Sequence, residues 1–496
     1  MKKLAVLSIL TLGCFMQLLA QQNVFLNRDF WSNNPSITTI DEQIAAGNDI
    51  TKRNPAFFDG PTYAILQKVD PKTIAYIIEK EGNGVDKLTH DGRIYLHWAA
   101  YSGNQQVVDY LLKNGADAAA VDAHGYSVIN FSANAGLNDT KIYDALLAKG
   151  ADLKATTHNG ANALLLSSYS AKDYKIIQYF IDKGLSLNSK DNDGNGAFMY
   201  ASRSGNINLL KTLKDKGVAY KAINNNGENA LFLAAQGTRR SQNDKKVFDY
   251  LEGLGLANNL INSDGQSLLH LIARNNKDLA LFKHFIQAGL DSELADNNGN
   301  TPYLNAASGN TLEVLQLLAP KKATNPVNKK GQTALMLAVE RNSADVVAYL
   351  IEQGANINAK DKDGNGLAYY LLQNYNPRNV NLYEAKLALL QKANVDFTAP
   401  QNNGNTLLHL AAKENNLKLL KQLAAFQINV NQKNNEGNTV LHLAAMSSKN
   451  DDILKYLIAI GADVSATTDF EETVFDLASE NEMLRKNNIK LDFLKP

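Results

Sequence analysis

The residues of this 496-residue chain best equipped for chemistry are eight histidines, one cysteine and two acidic segments punctuated by glycine. A nucleophilic cysteine needs a thiolate, and thiolate zinc sites need at least two. Cys14 stands alone, inside an apolar N-terminal stretch. His97, His270, His409 and His442 recur within one short motif, whereas His90, His124, His158 and His284 are scattered. None belongs to a His-Glu-x-x-His pair, the helical spacing that lets two imidazoles grip one zinc. Asp191-Asn192-Asp193-Gly194 and Asp361-Lys362-Asp363-Gly364 open as a calcium loop opens. Such a loop closes on a bidentate Glu at its twelfth position. Ser202 and Leu372 stand there instead, so both segments read as turns. No Gly-x-Ser-x-Gly elbow, phosphate-binding loop or dinucleotide fingerprint follows a strand pattern. The expectation is a protein with no catalytic residue, no cofactor and no metal.

The elements that must position these residues are set by a repeat. Glycines recur at 60, 92, 125, 160, 194, 227, 265, 299, 331, 364, 404 and 437. The residues after them agree. Gly404 begins Gly-Asn-Thr-Leu-Leu-His-Leu-Ala-Ala, Gly437 begins Gly-Asn-Thr-Val-Leu-His-Leu-Ala-Ala, and Gly92 begins Gly-Arg-Ile-Tyr-Leu-His-Trp-Ala-Ala. Repeat ends agree too, as Gly115-Ala116-Asp117, Gly150-Ala151-Asp152, Gly354-Ala355-Asn356 and Gly461-Ala462-Asp463. This resembles the ankyrin-repeat family, with its period of about 33 residues and its Thr-Pro-Leu-His-x-Ala box. The resemblance covers residues 28 to 496. It implies an all-α solenoid of stacked helix-turn-helix units with β-turn or hairpin tips. It also implies that His97, His270, His409 and His442 brace turns by hydrogen bonding, and that the chain binds rather than catalyses.

One repeat can be read physically from 92 to 124. Asp91-Gly92 makes a tight turn, where glycine tolerates positive φ. Leu96, Ala99 and Ala100 supply the inward face of a first short helix, and the alanines let neighbouring helices approach closely. Gly103-Asn104 ends it. Val107, Val108, Leu111 and Leu112 fall at helical spacing and form the stripe of a second helix, which Gly115 stops. No such unit buries its stripe alone, so stability is shared along the stack.

Four segments follow. Residues 1–20 read as a signal peptide, with Lys2 and Lys3 before an apolar run and cleavage expected after Ala20. Residues 21–55 keep only a second-helix pattern, Ile37 to Ala46, and read as a degenerate capping repeat. Residues 56–469 hold about twelve repeats. Residues 470–496 read as a C-terminal cap, with Glu471 in the glycine slot and Asp476 in the histidine slot. Extra residues fall near 137–141, 237–246 and 373–385, where exposed loops are expected.

Lys and Arg number 50 and so do Asp and Glu, a zero net charge that does not suit general nucleic-acid binding. No stretch after the leader is long and apolar enough to cross a membrane as a helix. The short Lys-Lys leader reads as bacterial, so the expected chain is an exported bacterial monomer, in the periplasm or secreted, that holds a protein or peptide partner on its concave face and tips. An envelope glycan or a host protein are the alternatives. Contacts are expected at the tips and at the helix positions nine and ten residues after each glycine. These positions include Tyr101, Tyr169, Arg203, Gln236, Arg274, Glu340, Gln373, Lys413 and Met446. Tyr and Arg are frequent interface anchors, which singles out Tyr101, Tyr169, Arg203 and Arg274.

Overall fold

The structure, a computed structural model, describes residues 23–320 and 325–495. The expected leader and Cys14 lie outside the described residues. The described residues form 28 α-helices and no strand. Four isolated antiparallel bridges, among them Val121 with Ser127 and Val327 with Thr333, mark hairpin-like tips. From Gly60 to Ala459 the helices fall into twelve pairs.

The chain divides into two units, residues 1–224 and 225–496. Within the first, each leading helix packs on the next, in the order 60–66, 95–101, 128–134, 163–170 and 197–204. Leu96, Ala99, Ala100, Val107, Val108, Leu111 and Leu112 are all buried, as their spacing requires. Each buried branched side chain contributes about 1.5–3 kcal/mol. Second helices open on polar caps: Asn104 accepts from the Val107 amide and Asn206 from the Leu209 amide. Such caps are each worth about 1 kcal/mol.

Two readings of the N-terminal region need correction. Gly60 forms no tip. It lies in the first turn of helix Gly60–Leu66, where a Cβ would sit 3.0 Å from Ile50 and 3.2 Å from Trp31. The tip falls three residues earlier, on Phe57, with a φ of 62°. Close packing, not a turn, fixes this glycine. Residues 21–55 also hold more than a second helix. A short helix, Arg28–Ser32, precedes Ile37–Ala45. It forms because Trp31 is fully buried against Phe25 and Phe30 and donates its indole N–H to the Phe25 carbonyl at 2.9 Å.

In the second unit the leading helices stack as 230–236, 268–275, 302–307, 334–341, 367–373, 407–413, 440–447 and 474–480. A chain of asparagines clamps them. The amide of Asn310 donates to the carbonyls of Ala273 and Asn276, that of Asn342 to Ala307 and Asn310, and that of Asn481 to Ala445 and Ser448. Each clamp satisfies carbonyls that a helix C-terminus leaves open. The repeat that begins at Gly364 departs from this. Its insertion lengthens the second helix to Val380–Lys392 and puts Tyr375 where the clamp would stand. Lys386 takes over: fully buried, it donates its Nζ to the Val339 carbonyl at 2.9 Å.

Candidate partner-binding surfaces

The recurrent histidines sit at the third position of their leading helices. His270, His409 and His442 each accept at Nδ1 from the backbone N–H of the cap residue, Ser267, Thr406 or Thr439. Each Nε2 lies 3.0–3.1 Å from a carbonyl of the next repeat: Asn300, Asn438 or Ala466. That pattern fixes a neutral ring with its proton on Nε2. Burial lowers the pKa of all three. His97 is different. Its cap is Ile94, Nδ1 has no partner, and Nε2 lies 3.3 Å from the Tyr126 carbonyl. Burial pushes it down to about 4. At the C-terminal end Asp476 replaces histidine and closes the same box with Thr473, while Glu471 takes the tip at a φ of 63°.

The two calcium-like segments are turns. Asp191 and Asp361 each accept backbone N–H groups two and four residues ahead, and a tyrosine hydroxyl, Tyr200 or Tyr370, at 2.8 and 2.6 Å. Tips are joined by single backbone bonds, such as Asn297 to Asp264 and Lys329 to Asn298. The stacking of tips gathers histidines that look scattered along the chain. His90 and His124 both lie 3.3 Å from Asp91, which also pairs with Arg93. Among the described residues, Asp249, Glu252 and His284 are near enough to share an ion. They are engaged already: His284 with Glu252 at 2.7 Å, Asn258 with Glu252, and Lys245 with Asp249.

The expected contact residues end their leading helices on the outside. Tyr101, Gln236, Arg274 and Lys413 are exposed, and Tyr169, Arg203 and Glu340 are half-buried. In the first unit they join a larger aromatic ribbon. Tyr101 stacks on Phe131, which meets Trp98 edge to face, and Phe58 lies over His90, Tyr63 and Trp98. Arginines of the chain cover part of this surface. Arg28 lies over Tyr63, Arg93 over Trp98 and Phe131, and Arg203 over Tyr169 at 5.4 Å. Arg93 also pairs with the buried Asp122 at 2.7 Å. Reading only the ninth and tenth residues after each glycine misses this ribbon. Two of its rings, Trp98 and Phe131, stand at the sixth.

In the second unit Glu340 lines a 560 Å³ cleft with the tip residues Asn298, Lys329, Lys330 and Asp363 and with Tyr369 and Gln373. Gln236, Arg274 and Lys413 are not among its lining residues.

Stacked helix pairs, single-bond tips and histidine-closed turns define a repeat solenoid. A family model described as ankyrin repeats (3 copies) matches residues 32–122, 62–157, 129–222, 164–251, 269–361 and 371–468. The chain belongs to the ankyrin-repeat family. It is 31% identical over 253 residues to the nuclear factor NF-kappa-B p105 subunit of Gallus gallus, covering 50% of this chain and 24% of that one. It is 26% identical over 222 residues to ankyrin repeat protein OPG189 of Variola virus, 41% and 38% of the two chains. It is 28% identical over 166 residues to the palmitoyltransferase AKR1 of Lachancea kluyveri, 32% and 22%. The matches thus span well under half the length of each of these relatives. The array is a protein-interaction scaffold of a fold that is generally non-catalytic, and no described helix is long and apolar enough to cross a membrane.

Proposed function

We propose that this array is an exported, non-catalytic monomer that holds a protein partner against its leading helices and tips. The relatives above are eukaryotic and viral, so the bacterial envelope rests on the leader-like residues 1–20 alone. The observation that carries the partner reading is the character of the outward helix ends. They present organised aromatic, charged and amide side chains on helices, and among the described residues no acid, base and nucleophile converge there. Rigid presentation of a few anchors is what a protein interface needs. A glycan is the second reading, favoured by the ribbon of Phe58, Trp98, Tyr101 and Phe131.

The test uses residues 21–496 as bait in a cell-envelope extract. Beside it run two folded variants, Tyr101→Ala with Tyr169→Ala in the first unit and Glu340→Gln with Arg274→Ala in the second. A protein captured by the parent and lost with either variant is the expected result. No specific capture, together with pelleting of the bait by purified peptidoglycan, would replace the partner with a glycan.

A further inference from the structure

We propose that the cleft of the second unit takes one basic side chain of a partner polypeptide, its cation on the ring of Tyr369 between Glu340 and Asp363. The floor of the cleft is closed to a ligand. Asn328 donates to Asn300 and Gln332, Gln332 donates to the Tyr370 hydroxyl, and Tyr370 donates to Asp361 at 2.6 Å. Asn365 completes the network on Asp361. A network satisfied in this way is rigid and has little left to offer.

The rim is the reverse. Glu340 uses one carboxylate oxygen, Oε1, on its neighbour Arg341 at 3.0 Å, and Oε2 has no partner among the described residues. Asp363 is exposed, and no hydrogen bond or ion pair engages its carboxylate among the described residues. Tyr369 meets Tyr370 at right angles, and no cation of the described chain lies over its ring. Burial, then the carboxylates of Asp361, Glu340 and Asp363, hold its hydroxyl above the ordinary phenol range. An aromatic face in a negative field is what a guanidinium or ammonium seeks.

The chain's own cations at this cleft set its selectivity. Arg341 is mostly exposed, and an exposed pair of this kind is weak. Lys329 and Lys330, on the same lining, repel a second positive charge. The cleft therefore reads a single basic residue rather than a basic run.

This inference rests on the protein-partner reading. Its test is a titration of the mature chain, carrying ¹³C-labelled tyrosine, with the peptide acetyl-Gly-Ser-Arg-Ser-Gly-amide. The lysine and citrulline counterparts and a triple-arginine peptide run beside it. The arginine or lysine peptide should shift the Tyr369 resonance saturably at millimolar concentration, and the neutral citrulline peptide should not. Asp363→Asn, an exposed site read on the same resonance, and Tyr369→Leu, read on the Tyr370 resonance of the same cleft, should each weaken binding roughly two- to thirtyfold. Equal response to citrulline, tighter binding of triple arginine, or no shift would overturn the proposal. Capture of an envelope protein without any peptide response sinks this inference and leaves the scaffold. A peptide response without a captured protein does the opposite.

Discussion

The two units use one repeat plan to opposite ends. In the first, Arg28, Arg93 and Arg203 lie over the rings of the outward face. In the second, Tyr369 stands among carboxylates, and no cation of the described residues lies over it. The first surface supplies cations to Tyr63, Trp98, Phe131 and Tyr169, whereas the second leaves Tyr369 open among the described residues. The difference teaches that exposed aromatic residues alone do not mark a binding site. What matters is whether the chain already supplies their partners.

The largest test of that contrast is Arg93→Ala. It uncovers Trp98 and Phe131 and strands Asp122, whose side chain is fully buried. Breaking a buried pair costs about 3–5 kcal/mol. Trp31 and Trp98, the only two tryptophans, both lie in the first unit, so urea unfolding followed by indole emission reads that unit alone. A loss below about 1 kcal/mol would show that the ribbon does not depend on its arginine.

Next comes acid. His97 titrates near 4 in the fold, because burial opposes its charge, and near 6.5 when unfolded. Below about pH 6.5 the unfolded chain binds a proton that the folded chain refuses. Stability therefore falls as pH drops from about 6.5 to about 4, by roughly 3 kcal/mol in full. His97→Gln should flatten the pH dependence of the indole-monitored midpoint across that window. Parallel curves for parent and variant would remove His97 from the account. The same direction applies to His270, His409 and His442 in the second unit.

The smallest effect belongs to Lys386. Burial pushes it down to about 8, against the pull of Glu340. Between about pH 8 and 10.5 the unfolded chain holds a proton that the folded chain lacks, so stability rises with pH there. From pH 7.5 to 9.5, protection against hydrogen exchange in helix 380–392, corrected for the base-catalysed intrinsic rate, should rise by the equivalent of about 1–2 kcal/mol in the parent, and by less in Lys386→Met. Equal slopes would mean that Lys386 keeps its proton across that window, so that burial does not depress it.

Much of this was legible in the residues. The stripe from Val107 to Leu112, the alanine pair at 99 and 100, and the tip at Glu471 follow from spacing and from the shape of a turn. Gly60 misled because a period can be counted on glycines although the backbone asks only for positive φ, which Phe57 supplies. The ribbon was hidden because the sixth residue after a tip lies inside the helical box, where an aromatic side chain reads as core. Trp98 is nearly buried, yet its neighbours Tyr101 and Phe131 carry it to the surface. The pairing of His90 with His124 through Asp91 spans one repeat. That separation becomes a contact only when tips are stacked. Lys386 breaks the apolar stripe between Tyr383 and Leu390. The residue type marked it, but its acceptor, the Val339 carbonyl, belongs to another repeat.

The repeat carrying Lys386 bears on how such chains change length. A fold with a shared centre must accommodate every added residue everywhere at once. A stack feels it only at two joints. At residues 374–392 the upstream joint has lost its asparagine, and a lysine on a lengthened helix reaches the same helix end from another direction. The splice therefore needs only one donor able to reach the open carbonyls of the repeat before it. Growth by insertion is, in this architecture, a problem of carpentry at a single seam.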